Sequence, residues 1–417
     1  MTQELSDTIP EKVKLVAIVT RRGDRSLSYH HRLKQLDQFL VQNIRFWKPH
    51  PFKIERPGWC LEQPELTHAL LGLDDSSLAS YAADSSALIS FISDYIPQMA
   101  VIPSMVELPA TTHQHDCEIE SHLNTGIPGR KWEQIRALYQ SLENPHCGII
   151  EWCGGKGYLG RLLSEKWEQP VITLEYNQLL VDAGRSLADK FNVNQQFKHV
   201  DVINGATDIY LRRNHAIALH ACGDLHRQLI HQIINTKAAS FSIVPCCYHL
   251  GRNIRYTPFT DGLKLNISRE TLRLAVSETV TAHHNEINQR NQDMAWKLAF
   301  QQLRTELTGC PDYQSFKPVP KAWLKEGFQG YCQKLCEREK LILPDVLEWS
   351  QWECKGEARH HDVMRLQLLR QCFKRVLELW LIMDMAVYLQ GQAYHVKVDE
   401  FCQRSLTPRN ILIQGSH

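Results

Sequence analysis

Residues 149–160 read IIEWCGGKGYLG, an apolar strand that ends in an acid and turns through glycines into the start of a helix. Glycine has no Cβ, so such a turn brings backbone N–H groups close to a ligand. A nucleotide-like cofactor is the first expectation.

Outward from this turn the chain alternates between short apolar runs and amphipathic helices. Strands are expected at 148–152, 171–176, 196–202, 216–220 and 241–244. Between them lie helical patterns carrying Leu159, Leu162 and Leu163, then Leu180, Ala183 and Leu187, then Leu225, Leu229, Ile230 and Ile233. This alternation predicts a parallel, doubly wound sheet that binds ligands at the carboxyl ends of its strands. After Tyr256 it stops, and about a hundred polar, helical-looking residues follow. A long helix is then expected over 363–390, stopped by Gly391, with two β-like runs at 393–401 and 410–414 after it. Residues before about 100 are mostly helical in pattern, interrupted by Pro49, Pro51 and Pro57. The expected organisation is an N-terminal helical domain (1–125), the first part of an α/β core (126–255), a helical insertion (256–362), and a last helix and terminal hairpin (363–417).

The totals exclude several classes. With 417 residues, 43% hydrophobic and 22% charged, the chain can bury one large core or two to three smaller ones and is not a disordered polymer. Its 47 basic and 46 acidic residues leave a formal charge of +1, so a nucleic-acid partner would need a local basic patch. The apolar run at 15–19 is short and lacks a cleavage site, and the run at 376–389 contains Glu378 and Asp384, so neither secretion nor a membrane span is expected. Thirteen scattered cysteines suit reduced thiols in a soluble, cytoplasmic protein. The cluster His113, His115, Cys117 and the pair Cys332, Cys336 lack paired zinc knuckles, so no metal site is expected.

Two fingerprints overlap in the glycine turn. Gly155, Gly157 and Gly160 fit GxGxxG, and Glu175 lies 20 residues beyond Gly155, where an acid can hold the ribose hydroxyls of NAD. The same segment has an acid followed by small residues at every second position, Glu151, Cys153, Gly155 and Gly157. In this it resembles motif I of class I S-adenosylmethionine-dependent methyltransferases, with Cys153 where that family has its first glycine. Under NAD, Glu151 would be a carboxylate inside the buried first strand, which is costly if unpaired. The resemblance instead puts it at the strand end, facing the cofactor's amino-acid part. It also implies that Glu175 accepts from the ribose hydroxyls, that Asp201 lies near the adenine, and that the fold is a Rossmann-like, seven-stranded sheet of five parallel strands plus a terminal antiparallel hairpin.

The fourth strand ends in His220-Ala-Cys-Gly-Asp, and the fifth runs into Pro245-Cys246-Cys-Tyr248-His249. The Asn/Asp-Pro-Pro-aromatic sequence of amine methyltransferases is absent there. LHACGDL and PCCYHL, with EWCGGKGYLG and the terminal LTPRNILI, resemble the methyltransferase-domain family that includes the animal glutathione S-transferase C-terminal-domain-containing protein. They are more distantly similar to eukaryotic tRNA ribose 2'-O-methyltransferases. The resemblance covers roughly 126–255 and 363–417 and implies S-adenosylmethionine as cofactor and RNA, with tRNA favoured, as partner.

A ribose hydroxyl needs its proton removed or its emerging charge stabilised. His220 and His249 are the candidate bases, His220 also bordering the cofactor, with Tyr248 to orient or stack on the acceptor. Arg130, Lys131, Arg252 and Arg255, with Cys246, are the candidate substrate contacts around the cleft. Two other functions stay open at this point: a methyltransferase-like binding module without catalysis, and an NAD-dependent oxidoreductase. Oligomeric state is not legible.

Overall fold

The computed structural model describes residues 25–112, 121–277 and 284–417; His113, His115 and Cys117 lie outside the described residues. Its strands are β1 (Ile149–Trp152), β2 (Val171–Glu175), β3 (Gln195–His199), β4 (His215–Cys222), β5 (Ser240–Cys246), β6 (His395–Glu400) and β7 (Ile411–Ser416). They form one sheet in the order β3-β2-β1-β4-β5-β7-β6. The first five are parallel, and β7 is antiparallel to both β5 and β6. This is the expected seven-stranded Rossmann-like sheet with its terminal hairpin. The fourth and fifth strands run two residues further than the apolar pattern suggests, to Cys222 and Cys246.

The main helices are α1 (Arg25–Gln42), α2 (Gly129–Gln140), α3 (Tyr158–Trp167), α4 (Gln178–Phe191), α5 (Asp224–Thr236), α6 (His284–Thr308), α7 (Gly327–Glu339), α8 (Trp349–Gln371) and α9 (Lys374–Gly391). Strand alternation sorts the sheet into two faces. Ile149, Val171, Ile217 and Val244 pack with α2 and α3. Ile150, Trp152, Ala216 and Ile243 pack with α5 and α9 on the other face. Winding proceeds outward from β1 through β2 to β3, and from β4 to β5 in the opposite direction. No crossover therefore fills the crevice between the carboxyl ends of β1 and β4, which is where such sheets hold ligands.

The single helix expected over 363–390 is two helices, broken between Gln371 and Lys374. The break lets buried Phe373 turn into the core, where it lies 5.9 Å from the ring of Phe39 and 6.3 Å from that of Trp47. Leu33, Leu36 and Leu40 of α1 share one core with Leu377, Leu381 and the sheet. Asp37 of α1 accepts from Trp380 Nε1 at 3.0 Å and from the backbone N–H groups of Lys264 and Leu265. The N-terminal helices are thereby tied to the sheet layers and to the start of the insertion. Helices α6, α7 and α8 bury a cluster of their own, around Trp296, Phe300, Tyr331 and Trp352, and Cys332 and Cys336 lie inside it. Among the described residues, no helix is long and apolar enough to cross a membrane.

Candidate active site

A cavity of about 400 Å³ opens in the crevice between β1 and β4. Its wall comprises residues 151–156 of the glycine turn, Pro128 and Lys131 at the start of α2, and Leu219 and His220 of β4. Its volume suits a small organic ligand.

The turn takes left-handed backbone at Cys153, Gly155 and Gly157, with φ of 55°, 62° and 68°. The glycines serve different ends. A Cβ on Gly157 would stand 2.3 Å from Gln195 Nε2 and 2.5 Å from Phe197 Cζ, so this residue presses the start of α3 onto the sheet. A Cβ on Gly154 would stand 2.5 Å from Glu151 Cδ, and one on Gly160 2.6 Å from Glu151 Oε2. Gly155 meets nothing within 4 Å and lines the cavity. Cys153 holds the left-handed conformation despite its side chain, which explains why glycine is the favoured residue at this place in motif I. Burial, with Glu175 nearby, pushes its thiol up to about 12, so it lines the wall as a neutral group.

Glu151 is buried but not unpaired. Its Oε2 accepts from Thr173 Oγ1 at 2.7 Å and from Gln195 Nε2 at 3.5 Å, and the same Gln195 donates to Gly157 O at 2.9 Å. The expected penalty for a buried acid therefore does not by itself tell against NAD; the β2 and β3 side chains beneath the turn remove it. Burial still pushes the Glu151 carboxyl up to about 7, against the bond from Thr173 and the charge of Lys131. A folded value above the usual 4.5 means that the carboxyl's stabilisation is complete below pH 4.5 and is lost as pH rises through 7. Glu151→Gln should remove this decline, about 3 kcal/mol for an isolated group, from denaturation curves between pH 4.5 and 8. An unchanged decline in the variant would assign the pH dependence elsewhere.

At the β2 end, Glu175 Oε2 accepts from Gly155 N at 2.9 Å and Oε1 from Asn177 N at 2.8 Å, which places this acid at the rim of the turn. Asp201, beyond β3, accepts from Ile203 N and Asn204 Nδ2 within its own loop. Those bonds hold its carboxyl below the usual range. Tyr176 and Leu179, 70% and 79% exposed, stand beside these acids as uncovered apolar surface.

The motifs at the ends of β4 and β5 interlock. Gly223, at φ 55°, has no room for a Cβ, which would fall 2.2 Å from Leu250 O, and its N–H donates to Cys246 O. Asp224 accepts from Arg252 N at 2.7 Å. His220, at φ 67°, sits on an irregularity in the β4–β5 pairing. Its Nε2 is 3.1 Å from Gln134 Oε1, while its Nδ1 is buried without a partner. Burial, with Lys131 next in effect, lowers this imidazole to about 4, so it is neutral at pH 7. His249 Nδ1 is likewise buried and unpartnered, and burial lowers its ring too. Cys222 Sγ and Cys246 Sγ are 3.3 Å apart, with Cys247 beside them. Cys247 is the most acidic of the three, because the other two thiols hydrogen-bond to it.

Tyr248 is placed differently from the expectation. Its ring is buried against His226 at 5.8 Å and its hydroxyl faces Pro245 O and Glu378, so it cannot stack on an acceptor in this conformation. Arg130 braces the hairpin turn instead of standing free in the cleft, donating through Nε to Leu406 O at 3.0 Å and through a terminal nitrogen to Ser405 O at 2.9 Å. Lys131 lines the cavity between β1 and β4 rather than an outer surface. Arg252 is exposed, and Arg255, also exposed, donates to Asn266. Arg409 donates to Glu378 at 3.2 Å in a buried network with Arg375 and Asn410. Thr173, Gln195 and Gln134 are not legible in the sequence as site residues. Thr173 is the register partner of Glu151, a relation that appears only once β1 and β2 are paired.

Residues 130–253 match the family model described as a methyltransferase domain. Over 137 residues the chain is 29% identical to the glutathione S-transferase C-terminal domain-containing protein of Xenopus laevis, a match covering 31% of this chain and 21% of that protein. The Mus musculus protein of the same name is 28% identical over 141 residues, covering 32% and 21%. The chain thus matches about a fifth of the length of these relatives. Among solved structures it is similar to the Pyrococcus abyssi tRNA (uracil-54, C5)-methyltransferase in complex with S-adenosyl-L-homocysteine, at 18% identity, coverage of 27% and 28%, and a TM-score of 0.24. It is also similar to an rRNA methylase from Streptococcus thermophilus, at 13% identity, coverage of 28% and 71%, and a TM-score of 0.23.

Proposed function

We propose that this chain, whose residues 130–253 match a methyltransferase-domain family, is a class I S-adenosylmethionine-dependent methyltransferase that transfers a methyl group to RNA, with a tRNA ribose hydroxyl as the acceptor. The observation that carries the cofactor assignment is the cavity wall itself: Gly155 leaves open space over left-handed backbone, and an acid and an amine, Glu151 and Lys131, line the same cavity. That pair complements an amino-acid group, which brings its own ammonium and carboxylate. Glu175, at the rim, would use the remaining lone pairs of its carboxylate to accept from ribose hydroxyls, and Asp201 lies just beyond the adjacent strand end.

When bound, S-adenosylmethionine supplies an electrophilic methyl carbon on a sulfonium. The protein then has to hold a nucleophile in line, and positioning provides much of the rate. His220 offers a neutral imidazole in the cavity wall; its Nδ1 is unpartnered but buried, so the ring must turn toward the cavity before it can accept a hydrogen bond from an incoming hydroxyl. His249, with its own unpartnered Nδ1, is the second such group on the neighbouring strand end. Exposed Arg252 and Arg255 follow it and supply local positive charge on a chain whose net charge is only +1. The acceptor class itself rests on the motif resemblance to tRNA 2'-O-methyltransferases. Free thiols throughout the described residues support a cytoplasmic setting.

The test compares methylated nucleosides, by mass spectrometry, in RNA from a deletion strain, the wild type and a strain carrying His249→Ala. One 2'-O-methylated nucleoside should vanish in the deletion, and turnover by the purified variant should fall at least about 100-fold, while cofactor affinity changes less than about threefold. An unchanged nucleoside profile in the deletion would eliminate RNA as the acceptor. Loss in the deletion with full rescue by His249→Ala would remove His249 from the reaction.

A further inference from the structure

The side chains of Cys222, Cys246 and Cys247 bring three sulfur atoms within 4.8 Å of one another at the joined ends of β4 and β5. From this geometry we propose that the three cysteines form a site for one thiophilic metal ion of the zinc type, bound through three thiolates with a fourth position left to solvent.

The distances suit a single ion. Zinc–sulfur bonds of about 2.3 Å in a tetrahedron put the sulfurs about 3.8 Å apart. The observed span, from 3.3 Å between Cys222 and Cys246 up to the 4.8 Å limit, brackets that separation, so small rotations of the side chains close the site. The backbone sets the cluster up. Cys247 is left-handed at φ 47° and Gly223 at φ 55°, and the Gly223 N–H bond to Cys246 O locks one loop to the other. Strained backbone of this sort persists where the surroundings over-determine it, often at functional sites.

The thiols' mutual bonds and burial keep Cys222 and Cys246 protonated until an ion displaces their protons, but positive charge close by eases that loss. Helix α5 starts at Asp224, directly after the Cys222–Gly223 pair, and directs the positive end of its dipole toward that loop. Lys131 lies within electrostatic range of Cys222 and Cys246, and Arg409 within range of Cys247. Cys246 is buried while Cys222 and Cys247 are half-buried, so an ion can reach the site from solution. Soft thiolate donors select zinc or copper(I) over magnesium or calcium. An ion here would sit near His220, which lines the cavity.

The experiment uses the full chain, purified under reductant and stripped with a chelator, then titrated with zinc(II) against a chromophoric competitor. One tight equivalent is expected, weakened at least about 100-fold by Cys222→Ser combined with Cys247→Ser, and unchanged by Cys354→Ser at an exposed thiol in α8. Cobalt(II) added to the wild type should give intense sulfur-to-metal charge-transfer bands that zinc(II) displaces. Because the double variant is at risk of misfolding, the wild type also carries an independent readout: zinc(II) should slow alkylation of Cys222 and Cys247 at least about tenfold without protecting Cys354. Failure to bind zinc tighter than micromolar, a cobalt spectrum without sulfur bands, or equal protection of Cys354 would each overturn the site.

Discussion

Gly155→Arg should abolish S-adenosylmethionine binding, raising Kd at least about 100-fold by calorimetry, while the chain stays folded. At φ 62° a side chain costs roughly 1–2 kcal/mol of backbone strain, but a Cβ here meets nothing within 4 Å. The arginine then projects from the wall of a cavity of about 400 Å³ and occupies the space the cofactor needs. Gly157→Ala, two residues away, should fail in the opposite manner. Its Cβ would stand within 2.5 Å of both Gln195 and Phe197, at φ 68°, so overpacking of the sheet adds to the strain. A stability loss of roughly 3 kcal/mol or more is expected in denaturant titrations. Full cofactor affinity in a folded Gly155→Arg protein would show that the cavity is not the cofactor site, and loss of folding in that variant with a stable Gly157→Ala would invert the assignment of the two glycines.

Acid should destabilise the protein from about pH 6.5 downward and unfold it by about pH 4. His215 and His226 are buried, and burial lowers each to about 4; His50 is lowered to about 3, again chiefly by burial. Each ring must be neutral to remain inside. Its contribution is therefore complete above about pH 6.5 and is lost as pH falls through the folded value, with about 3 kcal/mol at stake per group. His220, also lowered to about 4, adds a loss of the same size, while Glu151 works in the other direction and regains about 3 kcal/mol on the same descent, leaving a net loss of roughly 9 kcal/mol between about pH 7 and 4. That is of the order of a domain's whole stability. Denaturant midpoints measured from about pH 8 to 4.5 should fall steeply below about 6.5, and His226→Asn should shallow the slope, because the Asn amide can still donate to Ala221 O in place of the imidazole Nδ1. A flat midpoint over that range would contradict the burial of these rings as neutral groups.

Both predictions depend on details that local pattern alone does not carry. Which of the clustered glycines faces ligand and which faces protein follows from Phe197, Gln195 and Glu151, and those side chains arrive from two different strands. Tyr248 shows the same limit: in a loop after a strand it reads as an acceptor platform, but α9 passes behind it and presents Glu378. Arg130 reads as a free cation, yet the turn at 405–406, far along the chain, captures it.

Much is nonetheless legible. The apolar alternation locates the strands to within a few residues, because a strand covered on both faces must be apolar along its length. Glycines ending the first strand mark the ligand-binding turn, since left-handed backbone there disfavours other residues. The helix expected over 363–390 is longer and broken, because the tertiary contacts of Phe373, not helix propensity, decide where the chain turns. Sequence by itself therefore determined the sheet, its terminal hairpin and the position of the cofactor turn, all of which follow from the periodic burial of backbone-adjacent side chains. Only the tertiary structure decided the pairing of Glu151 with Thr173 and Gln195, the capture of Lys131 by the cavity and the meeting of three thiols, because these depend on side chains that parallel pairing brings together from strands far apart in the chain.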